Sequence, residues 1–160
     1  MSFPDLVPLF DGADYVDVKT IDSAKNLRQF IADFICYTPA WLRFLYKVRG
    51  ILVRFLGMKQ EKMDLKTVSA EDISFTPGSP FKAFTVVCGK EETHFAVAVD
   101  DTHLQATLLI AAEPLGNDMN RLHIGTIVHH KHWTGPLYFT IILPFHHLVA
   151  WLMMRAGAKS

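Results

Sequence analysis

GPLYFTIILPFHHLVAWLMMR, residues 135 to 155, is apolar along almost its whole length and carries a proline and two histidines near its centre. Leu137, Tyr138, Ile141, Ile142, Phe145, Leu148, Val149 and Leu152 recur at i, i+3, i+4 spacing, and the stripe runs on through Pro144. That period predicts one long helix with a kink at the proline. Thr134 is the expected cap, and Pro136 suits the first turn. The other face holds Phe139, Leu143, Trp151 and Met154. A helix apolar nearly all round is expected to be buried on more than one side. About 20 apolar residues would also span a bilayer. The spanning reading is set aside because His146 and His147 would sit at mid-membrane, where ionisable groups are costly.

The segments before this helix have a different period. From about residue 71 the pattern alternates, and turn signals cut it into short runs, so strands are expected at 71 to 76, 81 to 89, 92 to 99, 102 to 112 and 121 to 132. The breaks TPGSP, GKE, Asp100-Asp101 and EPLGNDMN are short, which implies an antiparallel meander.

Further upstream, ADYVDVKTI (13 to 21) reads as a strand, and AKNLRQFIADFICY as a helix capped by Asp22 or Ser23 and ended before Pro39. AWLRFLYKVRGILVRFLG follows as a second helix closed by Gly57. Its apolar face is Trp41, Phe44, Leu45, Val48, Ile51, Leu52, Phe55 and Leu56, with Arg43, Lys47 and Arg54 opposite. That face is expected to pack inward and leave the bases in water, so docking on a membrane surface is the less favoured reading.

The bulk composition limits the function classes. A chain of 160 residues with half its residues hydrophobic and 20% charged is long enough for a real core and is expected to be one domain over residues 1 to 160. Sixteen acidic and sixteen basic residues leave no net basic field, so nucleic acid is not an expected partner. Cys36 and Cys88 lack finger or CxxC spacing and read as buried free thiols, which with a lead that is not a signal peptide points to the cytoplasm.

PAWLRFLYKVRGILVRFLG, VDDTHL and GPLYFTIILPFHHLVAWLMMR, in the order strand, two helices, meander, long helix, resemble a family of domains of unknown function in the START-like, or helix-grip, superfamily. The likeness runs from about Ala13 to Arg155 and rests on Pro39, Trp41, Arg49, Leu56, Gly57, Asp101, His103, Leu104, Gly135, Tyr138, Phe139, Pro144, Phe145 and His146. It implies an α+β fold: a curved antiparallel sheet gripping the long C-terminal helix, with two shorter helices after the first strand. It also implies an apolar cavity suited to a lipid-like or polyketide-like molecule. On that fold the expected wall is Phe84, Val86, Phe95, Val97, Leu108, Ile110, Tyr138, Ile142, Phe145 and Val149, with Tyr138 and His146 as polar contacts.

The histidines set the remaining alternatives. His146 lies about 80° round the helix from Tyr138, close enough to reach the cavity as a ligand anchor or as an acid/base on a hydrophobic substrate, whereas His147 is expected to face out. His130 and His132 form an HxH pair on one face of a strand, a weak metal candidate because a third ligand is missing from the sequence. His103 is expected outside the core in a turn role. No cofactor is expected, since no catalytic triad, phosphate loop or HExxH motif occurs. Trp151 and Met154 need a cover, for which a second copy of the chain is the expected one.

Overall fold

The computed structural model describes residues 3–55, 68–100 and 103–159. Six antiparallel strands form one curved sheet in the order β1-β6-β5-β4-β3-β2. The strands are β1 (Tyr15–Ser23), β2 (Pro80–Phe81), β3 (Phe84–Lys90), β4 (His94–Asp100), β5 (Leu104–Gly116) and β6 (Met119–His130). Two helices, α1 (Leu27–Cys36) and α2 (Ala40–Phe55), follow β1, and α3 (Thr134–Ala158) closes the chain. This is the helix-grip architecture that the sequence led us to expect.

The meander follows from its turns. β5 and β6 extend well into the expected EPLGNDMN break, because Asn117 and Asp118 alone make the reversal, at φ 52° and 58°. Both central residues of such a hairpin turn need positive φ, which Asn and Asp tolerate. The strand expected at 71 to 76 does not form; Ala70–Asp72 is a single 3-10 turn. Its carbonyls are satisfied by a side chain instead of a ladder, since Arg28 Nη1 donates to Ala70 O at 2.7 Å and to Ile73 O at 2.9 Å. The same guanidinium lies 4.9 Å from the Phe75 ring, which packs edge-on to Phe95.

Cross-strand register sorts the sheet into two faces. Leu6 of a short 3-10 helix, Pro4–Phe10, covers Ala96, Leu109 and Ala111 on the outer face. On the inner face there are two separate apolar clusters. The larger packs Val86, Phe95, Val97, Ile110, Leu122 and Ile124 against Leu27, Phe30, Ile31 and Phe34 of α1 and Met154 of α3. The smaller joins Leu104 and Val128 to Val53 of α2 and Tyr138 and Phe139 of α3. Gly157 lets the end of α3 approach α1, since a Cβ there would lie 3.1 Å from Phe30 and 3.2 Å from the Phe34 backbone.

Helix ends and faces differ from expectation in three places. Asn26, not Asp22 or Ser23, caps α1 by accepting from Gln29 N at 2.8 Å; Asp22 and Ser23 stay in β1, where the sheet ladder claims them. Thr134 does not cap α3, because its hydroxyl is bonded to His103 Nδ1 at 2.7 Å. Most importantly, α2 is rotated relative to its pattern, although Arg43, Lys47 and Arg54 stay exposed as expected. It buries Leu42, Gly50 and Val53, and leaves Phe44, Val48, Ile51 and Phe55 exposed. Arg49, whose Nε donates to the buried Tyr138 hydroxyl at 2.5 Å, fixes that orientation. Leu56, the expected Gly57 cap and Asp101 lie outside the described residues.

Candidate functional site

Between the two inner clusters runs one row of the sheet that belongs fully to neither. Asp17 of β1 pairs with Thr126 of β6, and Thr126 with Leu108 of β5. Residues opposite one another on neighbouring strands point to the same face, so Asp17, Thr126 and Leu108 all face α3. Leu108 and Thr126 lie on interior strands yet are only half-buried. An inward residue in mid-sheet keeps exposed surface only where the layer above leaves a gap.

α3 roofs this seam with the turn that follows Pro144. His146 Nε2 and Thr126 Oγ1 share a hydrogen bond at 3.2 Å. His147 faces β1, contrary to the outward position expected of it: Nε2 is 3.1 Å from Tyr15 Oη, and Nδ1 is 3.1 Å from Lys19 Nζ and 3.5 Å from Asp17 Oδ2. Both neighbours reach the sheet, His146 on strand β6 and His147 on β1. Lys19 also pairs with Asp17 beside it on the strand.

His147 thus bridges the Tyr15 hydroxyl and the Lys19–Asp17 pair. Burial, reinforced by His147 and Lys19 and opposed in part by Asp17, pushes the His146 pKa below its ordinary value. Burial and the Asp17 charge push the Tyr15 phenol up. Two imidazoles and one ion pair thus occupy the middle of an otherwise apolar sheet–helix interface.

The residues expected from sequence are only partly brought together. Leu108 and His146 face the seam. Val86, Phe95, Val97 and Ile110, expected on the wall, are at most 2% exposed, because α1 and the end of α3 at Met154 cover their part of the sheet. Phe84 packs on the same cluster, half-buried. Ile142 packs with Tyr138 in the smaller cluster, and Val149 is half-buried on α3. Phe145 is 53% exposed and lines nothing on the inner face, since it lies with Leu148 and Ile141 on the solvent side of α3. Tyr138 is buried against α2 and bonded to Arg49, so it is not a partner of His146.

The other histidines are scattered. His130 lies edge-on to Phe139 with its ring centroid 5.9 Å away, while His132 is exposed beyond the strand and stacks edge-on with His103. His103 ties the start of β5 to α3 through Thr134, and its carbonyl accepts from Lys131 N and His132 N. Among the described residues no three His, Cys, Asp or Glu side chains converge as metal ligands. Sequence reasoning missed Tyr15, Asp17, Lys19, Thr126 and His147. The alternation of YVDVKTI held the signal, with Val16 and Val18 on one face and the polar residues on the other. The polar face is the one turned inward.

No functionally curated protein matches this sequence. Solved structures with some likeness include a truncated norcoclaurine synthase from Thalictrum flavum, at 18% identity over 91% of each chain with a TM-score of 0.45. A second structure of that synthase, in complex with dopamine and hydroxybenzaldehyde, has 14% identity over 100% of this chain and 96% of its own, with a TM-score of 0.42. Residues 9–153 match the model of the family described as Protein of unknown function (DUF2867), and the chain belongs to that family.

Proposed function

We propose that the chain, as one START-like domain of the cytoplasm, binds a hydrophobic small molecule in the seam between the sheet and the kinked middle of α3. The ligand is lipid-like or polyketide-like and carries one polar group. The observation that supports this is the placement of Asp17, Lys19, Thr126, His146 and His147 at the gap between two apolar clusters. These ionisable groups are half-buried, and drawing them out of water costs stability unless they are paired or serve a bound molecule. Here apolar area on either side would supply affinity, at about 25 cal/mol per Å², and the polar row would orient a carbonyl, hydroxyl or carboxylate.

The test is native mass spectrometry of freshly purified protein, followed by titration with medium- and long-chain fatty acids, alcohols and aromatic polyketides. Retention of one organic molecule per chain, weakened by Lys19→Met and by His147→Leu, is the expected result. Binding that ignores both substitutions would sink the reading.

A second reading is acid/base catalysis on the same ligand class, in cyclisation, dehydration or hydrolysis, and the low pKa of His146 favours it. A neutral imidazole at neutral pH is a ready proton acceptor. His146→Gln should then keep ligand retention and abolish product formation. If retention and product formation fall together, His146 is an anchor.

A further inference from the structure

The strongest unexplained surface is not at the seam but on α2. Phe44, Val48, Ile51 and Phe55, at i, i+4, i+7 and i+11, are 64%, 45%, 72% and 88% exposed. α3, joined to α2 through the Arg49–Tyr138 bond, adds Leu137, Ile141, Leu148 and Trp151, each between 42% and 49% exposed. Apolar surface on this scale marks an interaction site on an ordinary domain.

Charge selects the occupant. The chain has no net charge, yet no acidic residue occurs between Asp33 and Glu61 or after Asp118. α2 carries Arg43, Lys47, Arg49 and Arg54, and α3 carries Arg155, whose guanidinium lies 4.7 Å over the Trp151 ring. Two copies packed through this face would oppose base to base with no acid on either helix to relieve them. Nucleic acid would satisfy the bases and leave four large apolar side chains in water. A surface with anionic headgroups above an apolar layer meets both needs, because long basic side chains reach phosphates while the stripe beside them is buried.

We propose that the α2–α3 side docks on anionic lipid bilayers. α2 lies in the headgroup plane, with Phe44, Val48, Ile51 and Phe55 at the acyl boundary and Arg43, Lys47 and Arg54 on the phosphates. The surface is separate from the seam and does not depend on the ligand reading.

Sedimentation of the full chain with phosphatidylcholine vesicles, with and without phosphatidylserine, tests it. Binding should need phosphatidylserine and weaken as salt rises. Arg43→Gln with Lys47→Gln should lower the partition about thirty-fold, and Ile51→Glu should abolish it. Val18→Glu, on the exposed outer side of β1, should leave it unchanged. All four positions are exposed, so circular dichroism should show the fold intact. Failure to bind anionic vesicles, or equal binding to both vesicle types, overturns the proposal. So does a dimer in light scattering that Ile51→Glu dissolves, which would assign the face to a second copy.

Discussion

Replacing Leu42 and Ile51 one at a time by alanine asks whether α2 is really packed with its apolar stripe outward. Leu42 is 2% exposed, and truncating a buried leucine costs about 2–5 kcal/mol, from lost transfer energy and the cavity left behind. Ile51 is 72% exposed. Burying a whole isoleucine contributes about 1.5–3 kcal/mol, so the fraction covered here contributes well under 1 kcal/mol. The gain in helix propensity on going to alanine returns a few tenths of that. Ile51→Ala should therefore fall within about 0.5 kcal/mol of wild type, and Leu42→Ala about 2 kcal/mol or more below it. Urea titration followed by far-UV circular dichroism reads both, with a shifted midpoint and unchanged slope for Leu42→Ala. The reversed order, with Ile51→Ala costly and Leu42→Ala neutral, would refute the orientation and the membrane proposal with it.

Other substitutions probe the frame around the seam. A Cβ at Gly135 would lie 2.8 Å from His103 O, a carbonyl already held by Lys131 N and His132 N, so Gly135→Ala should cost about 1–3 kcal/mol by thermal denaturation. At Gly125 the nearest atom is 3.4 Å away on the Leu109 side chain, which can give, so Gly125→Ala should cost less than Gly135→Ala; equal costs would contradict the close approach. His146 has a folded pKa depressed below its ordinary 6.5, so the unfolded chain takes up the proton first as pH falls. Its contribution is therefore complete above pH 6.5 and is lost as pH drops from there through the folded pKa. NMR titration should place His146 below 6.5, and His146→Gln should flatten stability in that window; a midpoint above 6.5 would contradict the burial argument.

The order of elements was legible because it rests on period. Alternation marked the meander, and the stripe through Pro144 marked α3. What sequence could not supply was which side of an amphipathic element meets the core. On α2 the apolar stripe pointed to burial, but the helix is rotated, with Arg49 bonded to a buried phenol, so that Leu42, Gly50 and Val53 face inward instead. On β1 the alternation is plain, yet the valines face water and Asp17 and Lys19 face α3. In both places apolar side chains face water, so local preference and global structure disagree there. His147 was misplaced for a related reason: the stripe was assumed to face the sheet, whereas Tyr15 and Lys19 of β1 lie against the side that carries His147. The cavity wall was read from the superfamily picture, and α1's cover of Val86, Phe95, Val97 and Ile110 was invisible without tertiary contacts.

The seam itself is best tested by filling it. Leu108 faces α3 from mid-sheet and is only half-buried, so Leu108→Trp should occupy the gap without displacing the two apolar clusters. Ligand retention in the native mass spectrum of wild type and Leu108→Trp, with melting temperature recorded alongside, is the decisive measurement. The account predicts that the variant melts at or above the wild-type temperature and has lost the bound molecule. A variant that unfolds, or that holds ligand as wild type does, would mean there is no such seam to bind it.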